Sequence, residues 1–79
     1  MSGVRDDLSA ALLAKVIPMR SGTKKFTVQS LLGGSTQQPS SSTLERVAGD
    51  VRTGMSNRGM TVKITVEKGA TFKVVNPPS

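Results

Sequence analysis

The chain has 79 residues, of which 35% are hydrophobic and only two, Phe26 and Phe72, are aromatic. A chain of this length forms one small domain with a thin core, because only roughly 60% of the unfolded chain's surface is buried at this size. It contains no cysteine and no histidine, so a disulfide framework and the usual zinc sites are excluded. No run approaches the roughly 18 apolar residues of a membrane span, and no basic signal peptide is evident, which predicts a cytoplasmic location.

The charge balance is strongly basic. Eleven Lys and Arg against five Asp and Glu give a net charge of +6. A positive surplus of this size favours a polyanionic partner such as nucleic acid. A small domain can also carry such a charge for solubility alone, so the partner has to be argued from the arrangement of the residues.

Catalysis is not expected from this inventory of side chains. Enzymatic acid-base and nucleophilic sites usually rely on His, Cys or grouped carboxylates, and the five acidic residues here are dispersed along the chain. The glycines lack the strand, glycine loop, helix order of a phosphate-binding loop. We therefore expect no enzyme activity, no cofactor and no metal.

The first predicted element is a helix that is capped by Asp6 or Asp7 and runs to about Val16. Pro18 follows just beyond its end, where a helix cannot easily continue. Its apolar face is formed by Leu8, Ala11, Leu12 and Val16.

The next segment predicts little regular structure. Residues 19–25 read as a loop, and Phe26 as a short edge strand. Thr27 is well placed to cap a short second helix over residues 28–32, which a glycine pair beginning at Gly33 would end.

Residues 33–42 are the one low-complexity stretch of the sequence. Their Gly, Ser, Gln and Pro content offers nothing to bury. We therefore predict a flexible loop within a single domain, residues 1–79, whose core spans about 5–76 and whose short tail spans 76–79.

The sharpest helical pattern lies in residues 42–58. Ser42 and Glu45 have the spacing of a capping box, and Gly59 is a C-terminal stop. A buried edge at helical spacing is formed by Leu44, Val47, Ala48, Val51 and Met55.

Two glycines interrupt this third helix. Gly49 and Gly54 should each cost about 0.5–1 kcal/mol relative to alanine, so tertiary packing has to hold the helix. Gly49 falls on the outward edge, where the absence of a side chain would let another backbone approach closely. It could equally be a weak point at which the helix bends or ends early, and the sequence leaves both interpretations open.

The last predicted element is a β-hairpin over residues 61–75, where apolar and polar residues alternate. For the apolar residues of both strands to share one face, pairs such as Val66 and Phe72 must lie opposite each other. This requires a loop of odd length around Gly69. The tail over 76–79 contains two prolines and cannot continue a strand.

The order helix, short strand, helix, helix, hairpin resembles the winged helix-turn-helix family. The resemblance is carried by "KKFTVQSLLGG", "SSSTLERVAGDVRTGMSNRGM" and "TVKITVEKGATFKVV". It covers about residues 5–76 and implies an α+β fold: three helices, a short edge strand near Phe26 and a C-terminal hairpin, or wing. The connector over 33–42 departs from the tight turn that the family often uses between its second and third helices.

The resemblance also implies a site, because in this family the third helix enters the DNA major groove and the wing contacts backbone or minor groove. Arginine suits guanine, asparagine suits adenine, and serine or threonine can bond either a base or a phosphate. Arg58, at the end of the helix, would meet phosphate or cap the last carbonyls. The outward edge and its flank carry Ser42, Arg46, Gly49, Arg52, Thr53, Ser56 and Asn57.

The wing would add phosphate contacts without sequence preference. Lys63 and Lys73 lie on its outward phase, and Lys68 lies at its tip. A possible second basic cluster in the first loop comprises Arg20, Lys24 and Lys25.

The leading prediction is a DNA-binding protein that regulates transcription or assists recombination or replication, and that is associated with the nucleoid. A homodimer, tandem sites or a protein partner would add specificity.

One alternative is an inhibitor or adaptor of the same fold that occupies a nucleic-acid site on a partner enzyme. Another is RNA binding, against which the scarcity of aromatic residues counts. The helix arginines could also simply form a solvated face with Glu45 and Asp50.

Overall fold

The computed structural model describes residues 3–19, 22–33, 39–68 and 70–76. These residues form a small α+β arrangement of helices and a three-stranded antiparallel sheet, which confirms the predicted fold class. No helix within these ranges combines the length and the apolar character that crossing a membrane requires. In chain order the elements are α1 (Val4–Val16), β1 (Gly22–Thr27), α2 (Val28–Leu31), α3 (Ser41–Ser56), β2 (Lys63–Glu67) and β3 (Thr71–Asn76).

Helix α1 begins earlier than predicted. Gly3 occupies the N-cap position and no side chain caps the helix. Asp6 and Asp7 lie inside the first turn, where their charge complements the positive end of the helix dipole. The prediction that one of them is the cap is wrong. The apolar face is confirmed, because Leu8, Leu12 and Val16 are fully buried.

The largest correction concerns the segment before α2. Residues 22–25, predicted as a loop, belong to strand β1, which pairs along its whole length with β3. The sequence hides this strand because Lys24 lies on the same side of the strand as Phe26, where it is exposed at the free edge of the sheet. Pairing with β3, rather than a local pattern, makes this segment extended. Residues 20 and 21 lie outside the described ranges.

Helix α2 is a single turn. As predicted, Thr27 caps it: the Thr27 Oγ1 accepts a hydrogen bond from the Ser30 backbone N–H at 3.1 Å. The helix ends at Leu31, and Gly33 follows with φ of +69°, a conformation that favours glycine. The predicted flexible loop falls mostly on residues 34–38, which lie outside the described ranges.

Helix α3 begins one residue before its predicted start. Ser40 is the N-cap, and its Oγ accepts a hydrogen bond from the Thr43 backbone N–H at 3.3 Å. The predicted capping box of Ser42 and Glu45 is therefore wrong, because Ser42 already lies in the first turn. The sequence offers three successive serines, and the first of them is the cap. The end of the predicted loop over 33–42 is accordingly helical.

The buried edge of α3 and the role of Gly59 in stopping it are confirmed, although the helix ends at Ser56, two residues before the predicted end at 58. Gly59 has φ of +75° and donates its N–H to Ser56 O at 2.9 Å, while Met60 donates to Met55 O at 2.9 Å. These two bonds are those of a Schellman motif, in which a left-handed glycine satisfies the last carbonyls of a helix. The residues buried along the inner edge are Leu44, Val47, Ala48, Val51 and Met55.

The second helix glycine, Gly54, lies where α3 approaches α1. A Cβ at Gly54 would stand 3.3 Å from both Cδ atoms of Leu13. The absence of a side chain therefore permits close packing of the two helices, which offsets the low helix propensity of glycine.

The hairpin has the predicted register. Val66 lies opposite Phe72 and Ile64 opposite Val74, so the loop between β2 and β3 has three residues, an odd number. Ala70, at the end of this loop, accepts a hydrogen bond from the Val28 backbone N–H at 3.0 Å. That bond ties the hairpin loop to the start of α2. Residue 76, predicted as the start of the tail, is instead the last residue of β3 and pairs with Gly22 of β1, whereas residues 77–79 lie outside the described ranges.

The sheet order is β1-β3-β2, with β3 in the middle. The predicted architecture is therefore matched only roughly, because α2 is a single turn and the hairpin is part of a three-stranded sheet. Helices α1 and α3 pack together, and their buried residues join those of the sheet in one core. At its centre Phe72 and Val74 are completely buried.

Candidate nucleic-acid interface

The outward edge of α3 lies opposite its buried edge and is open to solvent. Periodicity along a regular helix fixes this position, so the placement follows directly from the sequence. Gly49 is half-buried between its neighbours. The exposed members of the predicted set on this edge are Ser42, Arg46, Thr53 and Asn57, and Ser56 is exposed on its flank.

One flank of α3 is tied to α1 through Asp50. The Arg5 Nε and Nη2 donate to the two carboxylate oxygens of Asp50, each at 2.9 Å. The Ser9 Oγ donates to Asp50 Oδ2 at 2.9 Å. The hydrogen bond from Arg5 is the main cause that lowers the pKa of Asp50, with smaller help from Ser9 and the charge of Arg5, against partial burial. Asp50 therefore joins two helices rather than belonging to a merely solvated face.

Replacing Asp50 with asparagine is expected to lower the free energy of unfolding at neutral pH by about 0.2–1 kcal/mol, the range for exposed ion pairs. The carboxylate side chain is 35% exposed, so solvent screens the interaction. Because the folded-state pKa is lowered, the stabilisation is complete above the ordinary carboxyl pKa of about 4 and is lost as pH falls through the lowered value.

Urea unfolding between pH 7 and about pH 2 measures this difference between wild type and Asp50→Asn. Glu45→Gln is the control, because it removes an exposed acid from the same helix without breaking the contact with α1. A gap that stays constant across this pH range would contradict the role of the Asp50 carboxylate.

The other flank of α3 is tied to the sheet. The Arg52 Nη1 donates to the Ile64 backbone O of strand β2 at 3.3 Å. Strand β2 lies at the edge of the sheet, so this bond joins α3 to an edge strand. Arg52, predicted to contact nucleic acid, thus has a structural bond, and only its remaining guanidinium donors are left for a ligand.

Arg58 has one of its two predicted roles. Its Nη1 donates to the Gly54 backbone O at 3.0 Å, which caps a carbonyl in the last turn of α3. A cation at this end also complements the negative pole of the helix dipole. Contact with phosphate stays a prediction for this residue.

The wing lysines do not lie beside the outward edge of α3. Lys63 and Lys73 alternate with the buried Ile64 and Val74, so they project from the sheet face that points away from the core. The core therefore lies between these lysines and the exposed edge of α3. Lys68 is exposed in the hairpin loop, at the end of the sheet.

The predicted second basic cluster is divided by the sheet. Lys25 lies opposite Lys73 on the outer face of the sheet. Lys24 lies opposite the buried Val74 and therefore belongs to the inner face. The Lys25 Nζ forms an ion pair with Glu67 Oε1 at 3.2 Å. Arg20 lies outside the described ranges. The sequence does not predict that Lys25 lies beside the wing lysines, because residues 19–25 are predicted as a loop and Lys24 interrupts the alternation of apolar and polar residues.

The described residues contain no group of three or more His, Cys, Asp or Glu side chains that could hold a metal ion. Their core also contains no buried polar or charged side chain. Comparison of the chain with protein-family models, curated proteins and solved structures gives no match.

Proposed function

We propose that this chain is a small duplex-DNA-binding protein of the winged helix-turn-helix type. Helix α3 would lie in the major groove, and the hairpin loop with Lys68 would rest on the neighbouring phosphate backbone. The observation that carries the proposal is the exposed polar edge of α3, which is held in place on both flanks. The order of the elements, in which a short strand joins the hairpin in one sheet, also supports it.

The dimensions of α3 suit the major groove. The helix has 16 residues, which corresponds to about 24 Å at a rise of about 1.5 Å per residue. The major groove is about 12 Å wide and admits one helix with its side chains. Arg46 and Thr53 lie on a single edge of this helix, and Asn57 continues that edge at the C-cap, as contact with successive base edges requires.

The contacts on the flanks hold this edge in one position relative to α1 and the sheet. Asp50 holds α3 to α1 on one side, and Arg52 holds it to β2 on the other. The close approach of Leu13 to Gly54 adds a third fixed contact. A surface ordered before binding loses less conformational entropy when it binds, which favours affinity.

The electrostatics of the surface favour a polyanion. Of the acidic residues, Asp50 is engaged by Arg5 and Glu67 by Lys25. The net charge of +6 means that basic residues outnumber acidic ones, and this excess of positive charge would attract phosphate and raise association rates. Regulation of transcription is the use we propose, with accessory roles in recombination or replication next, and a homodimer or protein partner would add specificity.

RNA is a weaker candidate than duplex DNA. Recognition of single-stranded RNA usually depends on bases stacking against exposed aromatic rings. The chain has only two aromatic residues. Phe72 is completely buried, and Phe26 is half-buried and packs against the core. Neither ring presents a free platform for a base.

Replacing Gly49 with alanine is expected to stabilise the fold and weaken DNA binding. A Cβ at Gly49 would meet only Arg52 Nη2, at 3.8 Å, so the gain in helix propensity of about 0.5–1 kcal/mol should be realised. The added methyl would stand on the edge proposed to face the groove. A loss of about 1.4 kcal/mol of binding free energy would weaken DNA binding tenfold.

Urea unfolding and titration with duplex DNA measure the two effects of Gly49→Ala separately. Gly54→Ala is the matched control: it should gain less stability, because its Cβ would crowd Leu13 at 3.3 Å, and it lies away from the outward edge. If Gly49→Ala binds duplex as tightly as wild type, the gap at Gly49 is not used for docking. Absence of any duplex binding by wild type at low salt would contradict the proposed function itself.

A further inference from the structure

The sheet has a second face that the proposed docking of α3 does not use. Alternation along the strands defines it, and we call it the lysine face. None of its residues is buried, so the described part of the chain leaves it open to solvent. Its members are Thr23, Lys25, Thr27, Lys63, Thr65, Glu67, Thr71, Lys73 and Val75.

Like charges meet on the lysine face. Lys25 and Lys73 are direct partners across β1 and β3. Lys63 pairs with Val75, two residues along β3 from Lys73, and so lies diagonally across from that lysine. Like charges placed directly opposite each other destabilise a sheet. Sheet stability therefore does not explain this arrangement, and a bound anion would relieve the repulsion.

The lysine face has a net positive charge. Glu67 is its one acidic residue, and its carboxylate pairs with Lys25 at 3.2 Å. Lys63 and Lys73 have no acid opposite them in the register. The hydroxyls of the exposed Thr23 and Thr65 can donate to phosphate oxygens. Charge and hydrogen-bonding capacity on this face therefore complement a phosphate backbone.

The chemistry of the lysine face suits duplex rather than single-stranded nucleic acid. It carries no aromatic side chain, and single strands are usually held by stacking of their bases on such rings. Lysine and threonine contact phosphates without reading sequence. A straight duplex docked on α3 cannot reach this face, because the core lies between the two surfaces.

We propose that the lysine face binds the phosphate backbone of a second duplex-DNA segment, so that one molecule bridges two duplexes. This inference rests on the proposed function, since α3 would hold the first segment. Contact with the second segment would be independent of sequence and sensitive to salt. Such a protein would bring distant DNA sites together in addition to recognising one of them.

A two-duplex retention assay tests the bridge. A biotinylated duplex is fixed on streptavidin beads, the protein is added, and retention of a second, fluorescent duplex is measured. Wild type should retain the second duplex at low salt and release it at high salt. Lys73→Gln should lose at least about half of this retention, because the number of phosphate contacts sets the binding strength. Lys15→Gln, an equal loss of charge at the end of α1, should retain it nearly unchanged.

Two further variants strengthen the test. Glu67→Gln removes the acid of the lysine face and should increase retention. Lys63→Gln should reduce retention. Because Lys63 is exposed whereas Lys73 is half-buried, this variant tests the bridge even if replacement of Lys73 disturbs the fold. Circular dichroism checks the folding of each variant.

Binding of a single duplex, followed by fluorescence anisotropy, separates the two proposals. If wild type binds no duplex, the proposed function fails. If wild type binds one duplex but retains no second one, the bridge is wrong and the proposed function stands. Equal retention by Lys73→Gln, Lys63→Gln and Lys15→Gln would also overturn the bridge, because a dimer of the chain would then join the duplexes.

Discussion

Replacing Phe72 with alanine is expected to remove most or all of the protein's stability. Phe72 is completely buried on the middle strand, with Phe26 opposite it on one side and Val66 on the other. Truncation of a buried phenylalanine costs about 3–5 kcal/mol, from lost apolar burial and the cavity that remains. Small domains lie at the low end of the range of about 5–15 kcal/mol for total stability, so little or none would be left.

Phe26→Ala is the matched control for this prediction. Phe26 lies on the edge strand β1 and is only half-buried, so the same change of side chain should cost clearly less. Urea unfolding followed by circular dichroism measures both losses. Equal losses, or a larger loss for Phe26→Ala, would contradict the placement of Phe72 at the centre of the core.

The features that the sequence predicts well depend on short-range periodicity. The buried edge of α3 follows from apolar residues at helical spacing, and the pairing of Val66 with Phe72 follows from alternation and loop length. The stop at Gly59 follows from the left-handed conformation that glycine alone adopts readily. Each of these is decided within one element or between two adjacent strands.

The features that the sequence does not predict depend on partners distant along the chain. The residues of β1 show no clear alternation of apolar and polar side chains. The segment is extended because it pairs with β3. The contact between Arg5 and Asp50 spans 45 residues and exists only because α1 packs on α3.

The candidate site divides in the same way. Periodicity places Arg46 on the outward edge of α3, and the structure leaves it exposed there. Periodicity also gives the phase of Lys63 and Lys73 within the hairpin, but not the side of the molecule on which that phase falls. That side depends on which sheet face the helices cover, which is a property of the whole fold.

Arg46→Ala is expected to relax the sequence preference of DNA binding. Arg46 is exposed on the outward edge of α3, where its guanidinium can donate two hydrogen bonds to guanine. Loss of such a contact costs about 1–3 kcal/mol for the preferred sequence and less for others. A duplex that wild type binds preferentially is first selected from a random pool. Competition of this duplex against random duplexes then measures the sequence preference of each protein.

The control for Arg46→Ala is Lys68→Ala in the hairpin loop. A phosphate contact carries no sequence information, so this variant should weaken binding to all duplexes alike. The slope of log K against log salt concentration should become shallower by about one. If Arg46→Ala keeps the sequence preference of wild type, Arg46 does not recognise bases. The proposed docking of α3 would then lack its main base-contacting side chain.

The most direct measurement is titration of wild type and these two variants into random duplex DNA at about 50 mM and about 200 mM salt. Docking of α3 and the hairpin loop predicts binding at the lower salt that weakens steeply at the higher salt, with a shallower dependence for Lys68→Ala. Absence of binding at the lower salt would contradict DNA binding. That result would favour the alternative in which the same basic surfaces occupy a nucleic-acid site on a partner enzyme.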